Sequence, residues 1–468
     1  MSTTVDQVTA QIHKLVNDEG FLWTSRNDHL HQVNKLLQGL SSADADQVLS
    51  KLSADDLKKW AGEVNSNGIF GADGLSGGEK KDLFNLFARD LDGAQLARVS
   101  NSFGSRGDVV SLGQSVAQYA TADAKVAYVK QLAGQTTDKP YDFQNGLSQT
   151  TFTGDQEAVA IGNVLASLKG NPQAFNDAIN SLNGTQLAAV VTAAEGQTST
   201  HYLGQQGQPS ITTNAQTLAD ILSAAATSTD PAVKARMFEA GSKALGQIND
   251  TNSILSPNPG ASADVKRVTQ GLTDILNSDT TGVVRALKLD QPGGSSLTNY
   301  MKEVITEDPS AGNKTIGTLL ARLQQSNDLQ HNPLDFVNQA SDDGHGGKVY
   351  VNAENLGYFS GAVQAGIGKI TSDAKTEGDI LNNILTTAVS VGTGWKVPTP
   401  VKIGATVVNA GIREGIREVV ADVSAGNKSL ADALFELSIP HDANGKTAEL
   451  GSDASFLSYR ATVIQQNQ

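Results

Sequence analysis

Cysteine is absent from this 468-residue chain, which removes disulfides, thiolate metal sites and cysteine nucleophiles in one step. Aromatic residues make up only 5% of it and charged residues 18%. With 46 glycines and abundant Ala, Ser, Thr, Asn and Gln, small side chains must do much of the packing, with modest burial per residue. The length exceeds what one hydrophobic core usually serves, and about two to four domains are expected.

No apolar run reaches the roughly 18 residues of a membrane-spanning helix. The stretch from Met1 to Leu30 carries Asp6, His13, Asp18 and Glu19 among scattered apolar residues and has no apolar signal core, so export by a cleaved Sec signal is not expected. Lys/Arg runs are missing too, and the net charge is -14 with a pI near 4.9. That balance repels a phosphate backbone and anionic lipid alike. Nucleic acid is therefore not an expected partner, whereas apolar insertion into a membrane stays open.

What is present is helical periodicity. Val33, Leu36, Leu37 and Leu40 form one stripe, and Leu83, Leu86, Phe87 and Leu91 another, at spacings of three and four. Ser76-Gly-Gly-Glu79 ahead of Leu83 has the pattern of a capping box. An internal repeat follows: Leu91-Asp-Gly-Ala-Gln-Leu-Ala-Arg-Val99 returns as Leu182-Asn-Gly-Thr-Gln-Leu-Ala-Ala-Val190, with a weaker echo at Leu52 to Trp60. Asp92 and Asn183 are the predicted helix caps. A later helix, around Lys125 in the first copy and Lys234 in the second, stands about 18 residues farther from the motif in the second copy. The polar stretch Glu195 to Pro209 fills that interval, and a long loop on a rigid scaffold is where function concentrates.

The fold class read from these patterns is mainly α, with helical bundles in several domains, an internal helical repeat and one small β-hairpin expected at Lys348-Val-Tyr-Val351. The expected divisions are an N-terminal helical domain over 1–145, a second repeat over 146–255 with an inserted loop at 195–214, a helical segment over 256–340, a C-terminal helical domain over 341–440 and a polar tail over 441–468. Apolar segments Ile380 to Val391 and Val401 to Ile412 are joined by Gly392 to Pro400 and read as a helix pair. They are too short to span a bilayer as single helices.

Most signatures of chemistry fail on spacing. None of the seven histidines pairs at i, i+4, and His29-x-His31 puts its rings on different sides of a helix. The oxygen-rich stretches at Asn65 to Ser76 and Asp342 to His345 miss the calcium-loop register. Gly392-x-Gly394 is not followed by the Lys-Ser or Lys-Thr of a phosphate loop, and there is no Gly-x-Ser-x-Gly elbow. No metal or cofactor is expected. Glu195 is the candidate catalytic residue, because it ends the apolar helix Leu187 to Ala194, where desolvation can raise a carboxyl pKa as a general acid requires. His201 and Tyr202 in the inserted stretch, and Trp395 between the apolar segments, are the candidate binding residues.

A helix ending in Glu195, followed by a small residue and a polar loop, is similar in outline to lysozyme-like muramidases over about fifteen residues, which implies glycosidic cleavage with Glu195 as general acid. Taken over the whole chain, the lack of Cys, few aromatics, abundant Gly, Ala, Ser, Gln and Asn and acidic pI resemble secreted effectors of Gram-negative bacteria, including harpin-like proteins. That resemblance implies a chain made in the bacterial cytoplasm, unfolded for export and acting outside. The leading expectation is accordingly a helical effector or toxin-associated protein that binds a protein partner or a membrane surface, with a dedicated chaperone or immunity protein among the candidates. A peptidoglycan-cleaving hydrolase built on Glu195 is the second reading, and a structural or scaffolding protein the third.

Overall fold

In a computed structural model, residues 5–18, 23–64, 74–104, 106–136, 141–145, 148–202, 210–250, 258, 260–324, 341–342, 348–391, 421–422, 425 and 450–467 are described. The described residues hold twenty α-helices and two small antiparallel sheets. Mainly α architecture with a minor β component is therefore what the chain adopts. Two compact units divide it: Met1–Thr229 with Asp250–Asp264, and Asp230–Asn249 with Val265–Gln468.

The first unit begins with α1 (Val5–Asn17), α2 (Trp23–Gln38), α3 (Ser42–Lys51), α4 (Ala54–Val64), α5 (Gly77–Asp90), α6 (Gly93–Ser100), α7 (Arg106–Tyr119) and α8 (Ala122–Leu132). It continues through α9 (Gln156–Ala166), α10 (Pro172–Ser181), α11 (Gly184–Ala194) and α12 (Gln216–Thr227). Successive helices alternate between two layers: α5 packs on α7, α7 on α9 and α9 on α11, while α6 packs on α8, α8 on α10 and α10 on α12. The corners that make this alternation are local in origin. Buried Leu52, Leu91 and Leu182 each end one helix and are followed at once by a capping residue. Ser53 Oγ accepts from Asp56 N at 3.0 Å, Asp92 Oδ1 from Gln95 N at 2.8 Å and Asn183 Oδ1 from Gln186 N at 2.9 Å. Each cap satisfies an orphan donor of the new helix, and the leucine fixes its entry angle against the core. The box at Ser76 and Glu79 closes reciprocally, with Ser76 N donating to Glu79 Oε2 at 2.9 Å.

The repeated glycine has a different physical reason in its two copies. A Cβ on Gly93 would lie 2.1 Å from Ala124 O and 2.5 Å from Tyr128 N, so α6 can meet the α8 backbone only through glycine. A Cβ on Gly184 would meet nothing within 4 Å. The scarce aromatics are concentrated: Trp60 lies 5.8 Å from both Phe87 and Phe103, and Phe84 lies 5.4 Å from Phe103, ring centre to ring centre, a geometry that adds to simple area burial.

Asp56 ties α4 to α1. Burial pushes its carboxyl pKa up, but Ser53 Oγ, His13 Nδ1, Asn17 Nδ2 and Ser53 N all face it and together hold it down to about 2. A depressed folded-state pKa contributes stability that is complete above the unfolded value and is lost as pH falls through the folded one. Wild type should therefore lose about 2 kcal/mol relative to Asp56→Asn as the pH drops from about 4 to about 2. Urea melts of both proteins across that range test this; parallel curves would show that Asp56 is not held as described.

The second unit contains α13 (Pro231–Asp250), most of α14 (Ala261–Ser278), α15 (Thr280–Asp290), α16 (Ser295–Glu307), α17 (Pro309–Gln324), α18 (Val351–Gly368), α19 (Ala374–Val391) and α20 (Leu450–Asn467). Its most enclosed helix is α18, which buries residues on every side, from Leu356 and Tyr358 to Phe359 and Val363. Helices α15, α16, α17, α19 and α20 all pack on it. Of the two apolar segments read as a pair, Ile380 to Val391 lies in α19, which packs chiefly on α17; Val401 to Ile412 lies outside the described residues. Ser341–Asp342 pairs antiparallel with Lys348–Val349, so the small hairpin expected there is present, although Val351 already begins α18.

Candidate functional site: a β-wing between helices

Two hairpins interrupt the helical layers of the first unit. Strands β1 (Tyr141–Asn145) and β2 (Ser148–Phe152) connect α8 to α9; β3 (Thr198–Tyr202) and β4 (Ser210–Thr212) connect α11 to α12. Strand β2 pairs antiparallel with β3, Thr150 opposite Thr200, which joins the hairpins into one sheet of order β1-β2-β3-β4. The stretch read from sequence as an inserted polar loop is thus half of a sheet, and the extra length of the second repeat copy is the β3–β4 hairpin.

The strands form because Ser, Thr and aromatic residues suit an extended, half-exposed backbone. Hydroxyl pairs cross the sheet, Thr150 Oγ1 to Thr200 Oγ1 at 3.1 Å and Thr198 Oγ1 to Thr212 Oγ1 at 2.7 Å. Sheets that cover a core alternate between buried and exposed residues. In β2 and β3 they do not. Every residue of β2 is half-buried, as are Thr198 to Thr200 of β3, while His201 is exposed; only the short β4 alternates, with half-buried Ile211 between exposed Ser210 and Thr212. The closest packing of each strand is with its neighbouring strands, and among the described residues the outer edges of β1 and β4 pair with no further strand.

At the root of this wing the backbone is tightly specified. Gly154 and Gly196 have φ of 87° and 60°, a region that favours glycine. A Cβ on Gly154 would sit 2.7 Å from Ala193 Cβ, and one on Gly196 2.5 Å from Asn214 O. Thr153 N donates to Gln197 O at 3.0 Å, and Asn214 N to Glu195 O at 3.2 Å. Both hairpins are therefore clamped where they leave the helices.

Glu195 caps the end of α11 at this root and is 1% exposed. A general acid must reach a glycosidic oxygen in a substrate cleft. Clefts of about 200 and about 600 Å³ run along α4, and neither is lined by Glu195. His201 stands on β3 and is exposed, whereas Glu195 is buried where α11 ends, before the strand begins. Tyr202 ends β3, and Trp395 lies outside the described residues. A carboxyl that sequence reading passed over is Glu157, in the first turn of α9, whose pKa is raised by burial and by the charge of Asp155. The described residues include no cluster of three or more His, Asp or Glu suited to a metal ion.

These features define a class: a mainly helical protein whose first unit carries a clamped, part-exposed β-wing. No protein-family model matches the chain, and no curated protein matches it either.

Proposed function

We propose that this chain is a bacterial effector-type binding protein that engages a protein partner through the β-wing. The observation that carries this reading is the four-stranded sheet whose faces are both part-exposed and whose outer edges are unpaired among the described residues. Unpaired sheet edges are a liability unless something uses them. Strand addition to an edge, with side chains of one face reading the partner, is the recognition mode such a sheet supports. Composition supports delivery outside the cell: a chain without cysteine and with few aromatics unfolds for export without disulfides to break. Among the described residues no helix is long and apolar enough to cross a membrane.

The test places a photo-crosslinking residue at His201 or Thr212 on the wing, or at exposed Lys169 as a control, and irradiates each in eukaryotic cell extract. The same protein captured at both wing positions, and not at Lys169, is expected. Equal capture at Lys169, or none anywhere, sinks the wing as a recognition surface. Dye release from liposomes would move the partner to the membrane. Soluble fragments released from peptidoglycan by wild type and not by Glu195→Gln would replace this reading with the hydrolase.

A further inference from the structure

Helices α4 and α6 border the cleft of about 600 Å³ in the first unit. Its lining on α4 runs from Ala54 through Lys58 and Ala61 to Gly62, positions that a helix stacks on one face. Helix α6 contributes Arg98, with Asn101 just past its end. The floor is open and small: a Cβ on Gly62, or on Gly104 across the cleft lining, would meet nothing within 4 Å. In a chain of 49 acidic and 35 basic residues, the described lining holds two basic residues and no acidic one. Lys58 is exposed, and no described residue pairs with its ammonium, because Asp55, one turn before it, is held by Lys59 at 2.8 Å. Half-buried Arg98 donates from Nη1 to Leu49 O at 2.6 Å and Ser50 O at 3.2 Å, and from Nη2 to Leu52 O. Carbonyl acceptors fix the guanidinium in place without cancelling its full charge.

Two cations without a neighbouring carboxylate make this concave site attractive to an anion, against the field of the chain as a whole. Asn101 narrows the class: its exposed side-chain amide offers one donor group and one acceptor, the complement of a peptide group. Length agrees, since Ala54 to Gly62 covers about 12 Å of helix, the reach of about four extended residues. We propose that this cleft binds an acidic segment of a partner protein in extended form, with its carboxylates on Lys58 and Arg98, a peptide group on Asn101 and small side chains over the Ala54 to Gly62 face. No residue of the wing takes part, so the cleft and the wing stand or fall separately.

The probe is the peptide acetyl-Ala-Glu-Ala-Glu-Ala-amide, ¹⁴C-labelled in its acetyl group and equilibrated by dialysis against the full chain. A protein of net charge -14 repels this peptide overall, so saturable retention reports a local site. The same peptide with Gln for Glu should be retained about tenfold more weakly, having lost its charge-assisted contacts. Lys58→Glu should weaken the acidic peptide by about tenfold or more through like charge, and Gly62→Leu should abolish retention by filling the cleft. Both are exposed helix positions, where substitutions leave the fold in place. Absence of saturable retention by wild type overturns the site, and so does retention by Lys58→Glu or Gly62→Leu equal to that of wild type. Equal retention of the Glu and Gln peptides overturns the readout of charge. Glutarate that competes as well as the unlabelled peptide overturns the peptide reading in favour of a free dicarboxylate.

Discussion

Gly357→Val is expected to cost the second unit more than about 4 kcal/mol, beyond the range of ordinary substitutions. A Cβ at Gly357 would lie 2.2 Å from the carbonyl oxygen of Phe456 and 2.9 Å from that residue's carbonyl carbon. Those are backbone atoms of α20, and no side-chain rotation can move them. Gly361, one turn on, faces the same helix, with its Cβ position 3.0 Å from Arg460 O. Any larger residue at 357 must push α18 and α20 apart, uncovering Phe456 and Val463, both fully buried. Loss of such burial is worth several kcal/mol on its own. Gly246→Ala is the matched control, because a Cβ there meets nothing within 4 Å, and alanine in a helix interior should gain roughly 0.5–1 kcal/mol. Denaturant melts report the cost, and limited proteolysis reports whether α20 is released. Equal stability of Gly357→Val and Gly246→Ala would mean that α20 does not lie against α18.

What sequence reading reached in this protein, and what it missed, divides by range of interaction. The caps at Asp92 and Asn183 and the box at Ser76 were legible because they close within three residues. The repeat was legible for the same reason: it is the Leu-plus-cap corner written three times. The wing was not, because β2 finds its partner β3 about fifty residues later, across three helices, and Ser/Thr strands half-buried along their length lack the apolar alternation that marks a core strand. One local signal was available in the sequence: Gly146-Leu147 puts glycine first, as two-residue hairpin connections favour, between Asn145 and Ser148, which pair. Glu195 shows the same limit at a single residue. Its position at a helix end was readable, whereas its burial depends on both hairpins rooting beside it. Helix α18 was missed because its apolar residues run all round, without the stripe that periodicity detects.

The largest electrostatic effect should come from Lys288→Met. Lys288 on α15 is 2% exposed in its side chain and forms an ion pair with Glu354 on α18, itself only 15% exposed. Its ammonium also stands 4.8 Å from the ring centre of Tyr459 on α20, so one cation links three helices. Breaking such a pair from one side strands the other charge, and Lys288→Met should lower stability at neutral pH by about 3–5 kcal/mol. Glu354→Leu alone should be comparably costly, since it leaves the ammonium with the Tyr459 ring but no carboxylate. The double variant separates these costs from the worth of the pair, because replacing both charges with apolar groups of similar size is often neutral or stabilising. Recovery of most of the lost stability in Lys288→Met/Glu354→Leu would mean that desolvation nearly cancels the attraction and that the pair serves to fix the register of α15, α18 and α20. A double variant as unstable as either single one would show instead that the ion pair and its aromatic neighbour are a net source of stability in this unit.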